Sequence, residues 1–294
     1  MSPVYPEDLK KLVNSGLEKY FPEADQRLSV VTDAMAYTLF SSGKRFRPVL
    51  ALLAAEAVGA DPEVALPLAC AIEFIHTYSL IHDDLPAIDN DTLRRGRPTC
   101  HVKYGEDVAI MAGDALFAEA FVLILTEQSK LIDSERLVRM LRELAIATGI
   151  NGMVGGQVVD IVSTGQTVGH STLEYIHNHK TGSLIVASAA CGAILGGADE
   201  AQLKAITGYA GHLGLSFQII DDILDIEGSA KTMGKNVGSD IGNQKITYPG
   251  TLGVNKSKEV AEATAKKAVS ALTGANMHTD RLMEMSDFVL GRTS

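Results

Sequence analysis

A chain of 294 residues, 46% of them hydrophobic and only 9 of them proline, can bury a sizeable core and run largely helical. Its net charge of −10, from 26 Lys+Arg against 36 Asp+Glu, excludes nonspecific nucleic-acid binding and a basic membrane-facing patch. Any anionic ligand must be held by local basic clusters and metal.

Helical runs dominate, and alternating runs bounded by Asn-Gly or Asp-Gly turns are lacking. Pro6 to about Leu39 reads as one or two amphipathic helices with a break near Phe21-Pro22, and Ser41-Ser42-Gly43 as a turn. Pro48 to Val58, Ala65 to His82 and Val108 to Leu125 are apolar almost all round, which predicts helices buried on most sides. Ser134 to Thr148, Leu173 to Ile194 and Asp199 to Ile226 follow, and Ser257 to Leu272 mixes charge with alanine as an outer helix does. Such helices need a ring of others to cover them, so the expectation is one all-α domain over residues 1–294. Glu227 to Gly242, with four glycines, reads as a functional loop. Thr181 to Ala198 carries no charge, but its Ser, Ala and Gly content predicts a buried core helix and no membrane span. Cys70, Cys100 and Cys191 match no metal-ligand spacing and read as reduced packing thiols of a cytoplasmic protein. The N-terminal Met-Ser-Pro-Val-Tyr-Pro-Glu lacks the pattern of a secretory signal.

Two acidic stretches stand out. The helix from Ala65 runs directly into Asp83-Asp84-Leu85-Pro86-Ala87-Ile88-Asp89-Asn90-Asp91. Crowded carboxylates raise one another's pKa unless cations lie between them, and oxygen-only ligands suit Mg²⁺, which keeps water and phosphate in its remaining positions. An isolated Asp-rich stretch is more often solvated surface. A second one, Phe217-Gln218-Ile219-Ile220-Asp221-Asp222-Ile223-Leu224-Asp225, also emerges from an apolar helix, with Asp221 and Asp225 on one face. The negative end of each helix dipole worsens the repulsion, so two such ends together argue for bound cations.

Basic clusters accompany them: Lys44, Arg45 and Arg47 at the start of a helix, then Arg94, Arg95 and Arg97, then Lys180-Thr181, then Lys235 with Lys245. Arginine's planar fork suits phosphate oxygens, although Arg45 and Arg97 also fit as solvent residues. His76, seven residues before Asp83, shares its helix face and is either a core histidine or a phosphate contact. Asp114 and Asp160 read as helix-packing partners.

The run Ile81 to Pro86, Asp89, Arg94 to Thr99 and Phe217 to Asp225, with Gly43 to Pro48, Lys180-Thr181 and Gln244 to Pro249 in order, resembles the short-chain trans-prenyl diphosphate synthases, especially bacterial farnesyl diphosphate synthases. The likeness spans roughly residues 29–249. It implies an isoprenoid synthase-like helical fold around a central cavity, a homodimer, and three Mg²⁺ ions, or Mn²⁺ in their place. The substrates implied are isopentenyl diphosphate and an allylic diphosphate. It also implies that Asp83, Asp84, Asp89, Asp221, Asp222 and Asp225 hold metal. Arg94, Lys180, Lys235 and Lys245 would contact the allylic diphosphate, and Lys44, Arg47, His76 and Arg95 isopentenyl diphosphate, with Arg292 reaching the same region. Thr181 and Gln218 would flank the reacting carbon, and Phe217 would face the second substrate. Tyr78, five residues before Asp83 and about 7 Å deeper along the helix, would act as the floor that stops the chain at C15. Geranyl and geranylgeranyl diphosphate synthases, a catalytically silent partner subunit and a non-catalytic acidic metal-binding protein are the alternatives.

Overall fold

The computed structural model describes residues 5–166, 168–227 and 246–293. Among the described residues the chain is all-α apart from one short hairpin. Helix α1 (Glu7–Tyr20) and α2 (Ser29–Leu39) part at Phe21-Pro22, joined through a 3₁₀ turn at Gln26–Leu28. Then come α3 (Phe46–Ala57), α4 (Leu66–Asp83), the two-residue strands β1 (Leu93–Arg94) and β2 (Arg97–Pro98), α5 (Cys100–Tyr104) and α6 (Glu106–Thr126). The second half holds α7 (Ser134–Thr148), α8 (Met153–Ser163), α9 (His170–Ile176), a π-helical turn (His177–Gly182), α10 (Ser183–Gly196) and α11 (Glu200–Glu227). After the undescribed segment come α12 (Tyr248–Leu252), α13 (Val254–Ala271) and α14 (Asp280–Leu290).

The helices without a polar stripe form the middle of the molecule. In α10 every residue from Ala187 to Leu195 is buried, so the charge-free stretch is core, wedged between α3, α7 and α11. Helix α4 is buried from Leu66 to Ile75 and packs on α1, α3 and α6. One continuous apolar core runs from Tyr5 to Val289. Cys70, Cys100 and Cys191 are free and buried within it.

Two expectations are corrected here. Leu173 to Ile194 is not one helix, because six residues in π conformation separate α9 from α10. The apolar α6 is not covered all round: Met111, Val122 and Leu125 lie exposed. Exposed apolar residues continue on α7 and α8, where Val138 is 65% and Val162 59% exposed, and at Ile150 between them, at 76%. By length and composition, Glu106–Lys130 and Ser134–Ser163 are apolar enough to cross a membrane. Their other faces pack into the core, α6 on α4 and α7 on α10.

Candidate active site

The C-terminal ends of α4 and α11 meet across a cavity of about 350 Å³. Successive residues on a helix point 100° apart, and this register sorts the acids. His76, Leu80 and Asp83 share the face of α4 that lines the cavity, and Asp89 and Asp91 join them from the following loop. Asp84, one residue on, turns away and is 1% exposed, and its carboxylate accepts hydrogen bonds from Arg94 Nε at 2.8 and 2.9 Å. On α11, Asp221 and Asp222 line the opposite wall, whereas Asp225 is buried outside the described lining. Asp221 pairs with Arg292 at 2.6 Å, and that guanidinium lies 4.8 Å from the centre of the Phe217 ring.

Asp222 sits in a network. Its Oδ1 accepts from the Gln218 amide at 2.9 Å and its Oδ2 from the Tyr248 backbone N–H at 3.1 Å, with His177 Nε2 at 3.6 Å. Gln218 in turn accepts from the Thr181 hydroxyl at 3.0 Å. Thr181 and Lys180 belong to the π turn, a conformation that recurs at functional sites. Gly156 of α8 makes room for that turn: a Cβ there would lie 2.1 Å from the Lys180 backbone nitrogen. Lys180 Nζ lies 2.6 Å from Asp160, so Asp160 is a cavity group rather than the packing partner expected. Burial opposes the charge on Lys180, but Asp83, Asp160 and Asp89 outweigh it and raise its pKa.

The third wall is cationic. Arg47, Arg94 and Arg95 line it. Arg47 Nη1 is 3.5 Å from His76 Nε2. Burial and the neighbouring arginines hold His76 well below 6.5, so the imidazole is neutral at neutral pH. Burial brings Arg47 down to about 10, and burial followed by the charge of Arg292 brings Lys44 to about 8. Lys44 is not among the described residues that line the cavity; its Nζ lies 5.7 Å from the Phe288 ring. Arg95 takes a left-handed backbone, φ 54°, and a Cβ on Gly43 would come 2.8 Å from its guanidinium.

Of the remaining expected site residues, Lys235 and Lys245 lie outside the described residues. Tyr78 is half-buried and off the polar cavity. It faces α6, its ring 4.8 Å from Phe117 in an edge-on arrangement, with Phe121 5.2 Å beyond. His82, unassigned from sequence, lies 5.6 Å from Tyr78 on its other side. Residues that sequence reasoning did not place at the site include His177, Ile176, Leu80, Ile246 and Thr247. His177 was hidden inside what read as one long helix.

Two acidic walls and one cationic wall around a cavity suit a diphosphate, and comparison with known proteins agrees. The family description polyprenyl synthetase matches residues 29–285. The chain belongs to this family. As a polyprenyl synthetase family member it is a prenyltransferase, a prenyl diphosphate synthase. It is 46% identical to a farnesyl diphosphate synthase of Geobacillus stearothermophilus over 283 residues, 96% of this chain and 95% of that one. It is 43% identical to a geranylgeranyl diphosphate synthase of Cyanophora paradoxa over 286 residues, 97% of this chain and 94% of that one. Among solved structures, a geranyltransferase from Helicobacter pylori, complexed with magnesium and isoprenyl diphosphate, superposes with a TM-score of 0.86 at 30% identity, covering 97% of this chain and 94% of that one.

Proposed function

We propose that this synthase condenses isopentenyl diphosphate with dimethylallyl and then geranyl diphosphate to give (E,E)-farnesyl diphosphate, and that it depends on Mg²⁺. The observation that carries the reading is the pairing of Asp83 and Asp89 with Asp221 across a cavity whose third wall is cationic. Among the described residues no three Asp, Glu, His or Cys side chains converge as a ready-made cage. That fits Mg²⁺, which is held by one or two carboxylates together with substrate phosphate and water. The proposed metal set is Asp83, Asp84, Asp89, Asp221, Asp222 and Asp225, with Asp83, Asp89, Asp221 and Asp222 lining the cavity and three ions expected. Asp84 and Asp222 also hold Arg94 and Gln218 in place. The magnesium in the H. pylori structure supports the choice of ion.

When bound, the metal neutralises the charge of the departing diphosphate. Lys180 and Arg94 add donors fixed in a site that is already built, so little reorganisation accompanies ionisation. The allylic C1–O bond breaks with its electron pair leaving on the diphosphate, the double bond of isopentenyl diphosphate attacks C1, and a proton is lost to the departing diphosphate. The Thr181–Gln218 pair flanks that carbon, and Lys44, Arg47, His76 and Arg95 grip the second diphosphate. No side-chain nucleophile is required.

The decisive assay is pyrophosphate release, expected only with Mg²⁺ and both substrates present and abolished by a chelator. Release without isopentenyl diphosphate, or undiminished by the chelator, would overturn the reading. A second reading, geranylgeranyl diphosphate as product, draws support from the Cyanophora relative.

The exposed apolar faces of α6, α7 and α8 support a homodimer, since apolar surface of this extent usually marks an interface. Sedimentation of the purified chain is expected to give twice the monomer mass, and a monomer at micromolar concentration would refute it. One continuous core supports a single domain over residues 1–294, and the three free thiols support a cytoplasmic location.

A further inference from the structure

Arg45 stands between two residues assigned to the isopentenyl subsite, yet it does not face the cavity. Instead of lying in solvent, it is 5% exposed and starts α3 from a left-handed backbone, φ 54°, which an unbranched glycine would adopt more readily. Three contacts hold it there. Its Nη1 donates to Glu73 Oε1 at 2.6 Å, its Nε to Asn14 Oδ1 at 3.0 Å and its Nη2 to the Ser41 carbonyl at 3.3 Å.

Glu73 is a buried acid that the proposed chemistry does not use. It is 1% exposed and lies three residues before His76 on α4, hence on the same side of the helix. Among the described residues its Oε2 has no hydrogen-bond partner, and neither does the buried Nε of Arg47. A buried carboxylate with one oxygen unsatisfied is costly, so its place must be offset by the charges around it. Those charges are Arg45 in direct contact, with Arg47 and Arg95 in its field, for both of which Glu73 is the foremost acid favouring the charged form. Arg95 takes the second left-handed arginine corner and donates to the Ser41 hydroxyl at 3.0 Å. One carboxylate thus lies behind two strained corners and three cations.

We infer that Arg45 and Glu73 form a positioning pair for the isopentenyl diphosphate subsite: Arg45 locks the corner from which Arg47 faces the cavity, and Glu73 is the countercharge that lets the cations assemble before the anion arrives. This rests on the subsite assignment proposed above. Neither residue touches substrate. The pair acts on one of two substrates, which general support of the fold would not do.

Two variants test it, with separate KM values for isopentenyl and geranyl diphosphate and with thermal melting to report folding. Arg45→Lys keeps the charge but cannot reach three acceptors from one ammonium. The double variant Arg45→Met with Glu73→Gln removes both charges, so no uncompensated ion stays buried and folding is spared. Each is expected to raise KM for isopentenyl diphosphate about tenfold, the loss of one charge-assisted contact, with KM for geranyl diphosphate and kcat within about twofold. If both KM values move together, or neither moves in the folded double variant, the proposal is overturned. Arg47→Ala serves as the control. If it leaves KM for isopentenyl diphosphate unchanged, the subsite assignment fails and the proposal with it. If it raises that KM while the pair variants do not, only the positioning role fails.

Discussion

Asp83→Asn is expected to lower kcat about a thousandfold while the protein melts at an unchanged temperature. Asp83 occupies the last turn of α4 on its cavity face, directly in line with Leu80 and His76. Asparagine keeps the shape and removes the charge, so the change tests electrostatics rather than packing. Stabilisation of a leaving diphosphate by a metal and its carboxylates amounts to several kcal/mol, and ~4 kcal/mol is about a thousandfold in rate. Continuous measurement of pyrophosphate release reads it directly. Activity retained to within tenfold would remove Asp83 from the reacting end of the cavity. Asp84→Asn is the informative contrast. Asp84 is buried against Arg94, so its loss is expected to act mainly through folding, as a lowered melting temperature. Two adjacent aspartates with different failure modes would establish that helix register separates their roles.

Tyr78→Ala is expected to shift the main product from C15 to C20 or longer. The ring fills the space between α4 and α6, against Phe117 and with Phe121 behind. Truncating an aromatic side chain in such a place leaves a cavity that its surroundings only partly close, and an apolar cavity stays dry and takes apolar ligand atoms. A growing prenyl chain is such a ligand. Because Phe117 remains behind Tyr78, the single change is expected to open a limited extension, and adding Phe117→Ala a larger one. Chromatographic sizing of the dephosphorylated products decides it. Unchanged C15 output from a folded variant would place the floor elsewhere and leave the geranylgeranyl reading to be judged on other residues.

Much of this architecture was legible because apolar runs are contiguous. Helices α4, α7 and α11 fall within a residue or two of their expected bounds, since a long run of helical pattern between breaks marks its own ends. Short elements were not legible. Helix α8, with its Gly155-Gly156 pair near the start, and the terminal α14 are only 11 residues each and were not picked out as elements. The acidic motifs announced a site but not which acid faces it. Asp83 and Asp84 are identical in composition and 100° apart in space, and only the register of α4 distinguishes them. Arg45 misled for a related reason, since an arginine is ordinarily solvated and its buried partner Glu73 lies 28 residues away. Lys180 and Asp160, 20 residues apart, became a pair only through the close approach that Gly156 allows. Helix α6 looked like core because its sequence is apolar almost all round, and composition does not tell a covered face from one left exposed.

The π turn at His177–Gly182 carries a trade-off between robustness and activity. In such a turn each N–H reaches one residue further back than in an α-helix, and the form is rare because its packing is poorer. Relaxing it into regular α-helix would be the obvious way to make this segment more stable. Doing so would rotate Lys180 and Thr181 by about 100° relative to the helix on one side, away from Asp160 and Gln218. Consensus or stability-guided engineering of this enzyme would therefore tend to select against its own chemistry at that turn, a cost commonly met where a functional site is held in a less stable conformation. Substitutions that raise the melting temperature are best sought on the outer helix α13, where regular helix is already the working state.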